Sequence, residues 1–228
     1  IATPGGQIAV KPGPLMAAVD SFEITVVGKQ SHGAMPWNGV DPIVVASQIV
    51  LGLQTIVSRQ VDVTLAPSIV SVGRISGGVR NNVIPERVEM EGTIRTFDEE
   101  MRREIHARIE NTARAIASAA GAEIEFNLPI GYPSVNNDTQ LFEQMLPTLQ
   151  RVSGDNPVNI ITPQTVAEDF SYFANETPGL FLFLGNGPPD VEPTSLPGNH
   201  SPYFDMYEPN LEMGVRIFSN LVVDYLDR

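Results

Sequence analysis

Apolar and polar residues alternate along Phe22-Glu23-Ile24-Thr25-Val26, so Phe22, Ile24 and Val26 share one face of a half-buried strand. The Gly, Ser and Pro residues of 28–36 end that strand and place His32 in the turn that leaves it. Asp41-Pro42 then opens a helix, with Asp41 as N-cap and Pro42 in the first position. Ile43, Val44, Ala46, Val50, Leu51, Leu53 and Val57 give this helix a wide apolar face. Residues 67–76 read as a strand through Val70 and Val72, ended by Ser76-Gly77-Gly78. From Glu86 to Thr96 the alternation returns, with Val88, Met90 and Ile94 inward and Glu89, Glu91, Thr93 and Arg95 outward. Asp98 caps a second helix, whose apolar positions are Met101, Ile105, Ile109, Ala113, Ile116 and Ala120 and whose stop is Gly121. Ile124, Phe126 and Leu128 alternate in a last strand. Strand, helix, strand, strand, helix, strand is the order of a split βαβ, ferredoxin-like domain: an antiparallel four-stranded sheet with both helices on one face.

The flanking segments differ. Residues 1–16 are rich in Gly and Pro and read as a linker, with room for a short strand at Gln7–Val10. From 132 onward, Asn136-Asn137-Asp138 offers caps for a helix with Leu141, Met145, Leu149 and Val152 on one face, which Pro147 is expected to kink or split. Val158–Ile161 suggests a short strand and Glu168–Phe173 a helical turn. Leu180-Phe181-Leu182-Phe183-Leu184 is a continuous apolar run, expected to be a strand buried on both faces in a parallel sheet. A Gly- and Pro-rich loop, 185–199, leads to His200, and Glu208-Pro209 opens a helix whose seam is Leu211, Val215, Phe218, Val222 and Tyr225. The expected division is a linker at 1–16, a ferredoxin-like domain at 17–131, and at 132–228 a piece of an open α/β sheet with too few strands to be complete.

Composition narrows the partners. Lys plus Arg number 14 against 27 Asp plus Glu, a net charge of −13, which disfavours nucleic acid and anionic membranes. There is no cysteine, hence no thiolate nucleophile or thiolate metal ligand. No apolar run approaches the length of a membrane span. The sequence opens on Ile1 without a signal-peptide pattern, so its start reads as trimmed, and the cytoplasm is the expected compartment.

Several residues could carry chemistry, though each alone has an ordinary structural explanation. His32, at a strand end, can donate to a developing oxyanion. Asn82, in Gly77-Gly78-Val79-Arg80-Asn81-Asn82-Val83-Ile84-Pro85, can hydrogen-bond a carbonyl or carboxylate, or simply sit in a hairpin turn. Arg95 can hold a carboxylate through two bonds, or be a solvated charge. His200 is a candidate metal ligand, and Glu168 and Asp169 either cap a helix or line a site beside it. His106 is expected to be solvated on the polar face of the second helix.

In order along the chain, Gly13-Pro14-Leu15-Met16-Ala17-Ala18, Asp20-Ser21-Phe22, Gly28-Lys29-Gln30-Ser31-His32-Gly33-Ala34-Met35-Pro36, Asn82-Val83-Ile84-Pro85, Gly92-Thr93-Ile94-Arg95, Glu168-Asp169-Phe170-Ser171 and His200-Ser201-Pro202 form a set. This set resembles the dinuclear-zinc metallopeptidase and amidohydrolase family of aminoacylases and glutamate carboxypeptidases. Within it, the hippurate hydrolase and indole-acetyl-amino-acid hydrolase branch is the nearest. The resemblance implies that the ferredoxin-like domain is a lid and dimerisation domain inserted into a zinc-hydrolase domain. It implies that His32 reaches across a homodimer formed through residues 17–131 to polarise the scissile carbonyl. Asn82 and Arg95 would bind the substrate carboxylate, His200 would be a metal ligand, and Glu168 would lie near the site. The implied activity is hydrolysis of N-acyl amino acids with two divalent metal ions, zinc first and manganese, cobalt or nickel as alternatives. The remaining ligands and the general base would lie upstream of Ile1, so the chain alone is expected to be inactive. An exopeptidase acting on short peptides, or a non-catalytic dimerisation or ligand-binding module, are the alternatives.

Overall fold

The computed structural model describes residues 3–227, so Ile1 and Ala2 of the expected linker and the terminal Arg228 lie outside the described residues. The chain forms two compact units, one comprising the segment up to Met16 together with Val135 onward, the other Ala17–Ser134. The first unit starts with β1 (Ile8–Val10) and β2 (Gly13–Met16).

The second unit contains β3 (Ala18–Val27), the two-residue β4 (Ser31–His32), α1 (Pro42–Thr55), β5 (Ser68–Gly77), the two-residue β6 (Val83–Ile84), β7 (Arg87–Thr96), α2 (Glu99–Ala119) and β8 (Glu123–Asn127). Its four long strands lie in the order β5-β7-β3-β8, all antiparallel, which is the ferredoxin-like arrangement expected from the alternation. Both helices pack on one face of this sheet. Phe22, Ile24, Val26, Val88, Met90 and Ile94 from the strands meet Val45, Ile49, Leu53, Ile105 and Ile109 from the helices in one core. The caps form as read: Asp41 accepts from the Ile43 and Val44 amides, Asp98 from that of Met101. Gly121 takes a φ of +74° just past α2, where a Cβ would be strained.

The facing residues differ in detail. On α1 the buried side chains are Val45, Ala46, Ile49 and Leu53, whereas Ile43, Val44 and Leu51 of the expected face are exposed. The helical stretch 42–60 is long and apolar enough by composition to cross a membrane, yet its inner face is part of the domain core. On α2 the last inward position is Ala117 rather than Ala120: Met101, Ile105, Ile109, Ala113 and Ala117 keep a spacing of four to the end of the helix, where the expected face stepped by three to Ile116.

After the second unit the chain continues with β9 (Val135–Asn137), α3 (Thr139–Ser153), β10 (Val158–Ile160), α4 (Phe170–Glu176), β11 (Phe183–Leu184) and α5 (Pro209–Leu226). Asp138 caps α3 through the Leu141 amide, and α3 runs unbroken through Pro147, so the expected split does not occur. Three expectations are corrected here. The linker supplies the middle strand of the sheet β10-β1-β11, and Ile8, Ala9 and Val10 are fully buried there. The apolar run 180–184 is not a doubly buried parallel strand. Only Phe183 and Leu184 pair, antiparallel to β1 at the sheet margin, and both are half-buried. The parallel pairing is instead between β1 and β10.

The third correction concerns α5. Its inner face is Ile217, Met213 and Leu221, packed on Phe142 and Leu149 of α3, with the Thr148 hydroxyl and Arg151 bonded to Asp224. The expected seam points the other way: Leu211, Val215, Phe218, Val222 and Tyr225 are all at least half exposed. These residues form one apolar stripe about 21 Å long at 1.5 Å per residue. Its first turns line a groove of about 530 Å³ with Leu184 and Met206.

Candidate functional site

His32 and Asn82 are brought together by backbone. β4 pairs antiparallel with β6, so His32 lies opposite Val83, and the Gly33 amide donates to the Asn82 carbonyl at 2.8 Å. A Cβ on Gly33 would lie 3.2 Å from the Asn82 backbone, which is why a glycine follows the histidine. The His32 Nδ1 accepts the Ala34 amide at 3.0 Å. In the neutral imidazole the proton is therefore on Nε2, which leaves that nitrogen as a donor at the exposed tip of the turn. Asn82 is likewise exposed.

Arg95 stands elsewhere. It pairs with Val19 near the start of β3, while the turns carrying His32 and Asn82 leave beyond the Val27–Arg87 pair at the other end. Eight residues of ladder, about 27 Å, separate Arg87 from Arg95. One copy of the sheet thus carries His32 and Asn82 at one end and Arg95 at the other.

Around Arg95 the structure contains a network that sequence patterning did not disclose. The guanidinium donates through Nη1 to the Thr93 hydroxyl at 2.7 Å and to the Ile94 carbonyl at 3.1 Å. Thr93 in turn donates to the Asp20 main-chain carbonyl at 3.2 Å. On the helix side of the sheet the Asp20 carboxylate, 1% exposed, accepts from Arg102 Nε and Nη2 at 2.7 and 2.6 Å. It also accepts from the Gly131 amide at 2.9 Å. His106 Nε2 lies 2.7 Å from it, so His106 is a partner of this buried carboxylate and not a solvated helix residue. Burial by itself would push the Asp20 carboxyl up; the bonds from Arg102, His106 and Gly131 outweigh it and hold the group well below the ordinary carboxylate range. Burial draws the Arg95 guanidinium down, against the pull of the Asp20 charge. The signal in the sequence was Asp20 at an inward position of an otherwise apolar strand face, where a charge requires a partner.

His200 and Glu168 belong to the first unit. His200 sits exposed in the turn after the long loop. Glu168 precedes α4, and its carbonyl accepts the Ser171 hydroxyl at 2.8 Å. Burial pushes the Glu168 carboxyl up, and neighbouring Asp169 adds to this. In the same segment Phe170 packs on Phe181, with ring centroids 5.4 Å apart. Among the described residues no three His, Cys, Asp or Glu side chains gather closely enough to hold a metal ion. The side chains present therefore do not fit a complete dinuclear centre.

Residues 19–120 match the peptidase dimerisation domain of the M20 family. The matched residues make up most of the ferredoxin-like unit of a mixed α/β structure. It is similar to the N-acetylcysteine deacetylase of Bacillus subtilis, with 37% identity over 98% of this chain and 56% of that protein. It is 33% identical to thermostable carboxypeptidase 1 of Saccharolobus solfataricus, over 99% of this chain and 56% of that protein. Among solved structures it resembles the YXEP protein of Bacillus subtilis, a dinuclear metal binding peptidase from the M20 family. The TM-score is 0.75 at 33% identity, over 98% of this chain and 54% of that one. The chain spans about half the length of the curated relatives it matches.

Proposed function

We propose that the chain serves in a metal-dependent amidohydrolase that cleaves the amide bond of N-acyl amino acids, working as a homodimer. The observation that carries this reading is the placement of His32 and Asn82 at one end of the sheet and Arg95 at the other. β5 is an outer strand whose outer edge has no partner among the described residues of the sheet. If two copies pair antiparallel through β5 about a two-fold axis, the His32 end of one copy lies beside the Arg95 end of its partner. The strands β7 of the two copies would be about 14 Å apart, three inter-strand spacings. That span suits an N-acyl amino acid with its carboxylate on Arg95 of one copy and its amide carbonyl on His32 Nε2 of the other. Asn82, fixed beside His32, would share the substrate. Exposed Ile43, Val44 and Leu51 on α1 supply apolar area for the same interface.

The catalytic metals and the general base belong to the rest of the enzyme, the counterpart of the relatives' length outside the match. His200 is the ligand this chain would offer. The apolar stripe on α5 supports the reading, because a stripe of this size calls for a covering layer. The metals would supply hydroxide and polarise the carbonyl; this chain's own part is to orient the substrate and donate a hydrogen bond to the oxyanion.

The test compares N-acetyl amino acids with their C-terminal amides as substrates of the full enzyme. Arg95→Ala should weaken turnover of the carboxylates at least tenfold, the worth of one charge-assisted bond pair, and leave the amides near their wild-type rate. Equal loss on both would refute the role of Arg95. The likeness to a carboxypeptidase favours a second reading, an exopeptidase using the same carboxylate grip. Faster hydrolysis of unblocked dipeptides than of N-acetyl amino acids would select it.

A further inference from the structure

We infer that Thr93 is a positioning residue for Arg95, and that the buried Asp20 cluster fixes the backbone carbonyl on which Thr93 is anchored. The inference rests on Arg95 being the carboxylate grip proposed above, but its first readout does not depend on substrate. Arg95 lies on the open face of the sheet, where a long side chain at a strand end would ordinarily sample many rotamers. Here its Nη1 meets the Thr93 Oγ1 at 2.7 Å. A hydroxyl has one proton, and Thr93 spends it on the Asp20 carbonyl at 3.2 Å, which leaves its lone pairs for the guanidinium. Thr93 is β-branched and stiff about χ1, so the hydroxyl has a defined direction in the strand.

The anchor is itself immobilised. The Asp20 carboxylate passes to the other face of the sheet and is held by Arg102 through two bonds, by His106 and by the Gly131 amide. Arg102 also donates to the Gly131 carbonyl at 3.2 Å, so the segment after β8 is tied to the same point. A rigid helix-side cluster is thereby linked through the Asp20 main chain and one hydroxyl to a guanidinium on the opposite face. Only Nη1 is engaged by these bonds. The other guanidinium nitrogens take no part in these bonds, so they can serve a ligand from a group whose direction is set in advance, and such preorganisation raises affinity by lowering the ordering cost of binding.

The experiment uses the 228-residue chain with Thr93→Val, Thr93→Ala and Thr93→Ser. Arg95→Lys assigns the Arg95 Nε–Hε signal in nitrogen-15 NMR spectra. In the wild-type chain and in Thr93→Ser this signal should be resolved and slow to exchange with water. In Thr93→Val and Thr93→Ala it should merge with the mobile surface arginines, while β3 and β7 amide shifts stay in place. A second readout titrates N-acetyl-L-alanine into the full dimeric enzyme, where Thr93→Val should raise KM about tenfold with kcat little changed, and Thr93→Ser should restore it. An Arg95 signal equally ordered in Thr93→Val, or in Thr93→Ala if the valine variant does not fold, overturns the inference. Order lost without any change in KM leaves Thr93 as the positioner of Arg95 and instead refutes Arg95 as the carboxylate grip.

Discussion

Replacing Asp20 with Asn should destabilise the 17–134 unit more than any conservative change on its surface. Asp20 and Arg102 are 1% and 4% exposed, and the carboxylate receives four donors from three residues. Asn keeps one acceptor oxygen but turns an NH₂ group toward Arg102 and leaves the buried guanidinium with only the half-exposed Glu99 carboxylate, 3.1 Å from Nη1, as counter-ion. Removing one partner of such a pair costs roughly 3–5 kcal/mol. Acid should have a parallel effect on the wild type. The Asp20 carboxyl is held below its unfolded value, so between the two values the unfolded chain binds more protons and stability rises with pH. The contribution is complete above about pH 5 and is lost as pH falls through the ordinary carboxylate range toward the folded value. Urea unfolding followed by pulsed hydrogen exchange, read on peptides from β3, β7 and α2, scores this unit apart from the other. The expected result is a large loss for Asp20→Asn at pH 7 and a flatter dependence on acid than in the wild type. The double variant Asp20→Leu with Arg102→Met should recover much of the loss, since no unpaired charge remains. An Asp20→Asn chain within about 1 kcal/mol of wild type and equally acid-sensitive would refute this account of the cluster.

Three further outcomes follow from local geometry. In Gly92→Ala the new Cβ would sit 2.0 Å from Phe22 Cζ and 2.4 Å from the Ser71 carbonyl; a loss of about 1–3 kcal/mol from overpacking is expected by urea titration. Asp98→Ala removes the 2.8 Å bond from the Met101 amide at the start of α2 and should cost about 1 kcal/mol, seen as a lower thermal midpoint. Phe218→Asp on the α5 stripe should leave the stability of the isolated chain within about 0.5 kcal/mol, because the ring is 68% exposed, yet reduce its binding of an apolar dye such as ANS.

The ferredoxin-like domain was legible because its strands have one wet and one dry face, and its helices one dry stripe. Periodicity then reports burial directly, as at Phe22, Ile24 and Val26 or Met101, Ile105 and Ile109. The other unit broke that link. Its central strand, Ile8–Val10, was expected as a short strand, but three residues among Gly and Pro carry too little pattern to mark it as the buried middle of a sheet. On α5 both faces are apolar, and the stronger stripe is the outer one, so the apolar seam located the exposed face rather than the core of this unit. The apolar run 180–184 advertised burial on both faces but pairs through only two residues, with its remaining surface half-buried. At the site, His32 and Asn82 each stood in a turn signalled by Gly and Pro, yet their pairing depends on the β4–β6 bridge, a contact between turns 50 residues apart that local composition does not encode. The hub at Asp20 needed knowledge that α2 lays Arg102 and His106 over the same strand residue, a fact of tertiary packing.

The most direct measurement of the central claim, that each substrate is held by residues from two copies, is complementation between two inactive variants of the full enzyme. One carries His32→Ala and the other Arg95→Ala, and they are co-expressed with different tags so that mixed dimers can be isolated. If the site is shared, one of the two sites in a mixed dimer joins an intact His32 to an intact Arg95, and activity toward N-acetyl amino acids returns to about half that of the wild type. If both residues serve a site within one copy, every site in the mixed dimer lacks one of them, and the activity stays at the level of the parent variants.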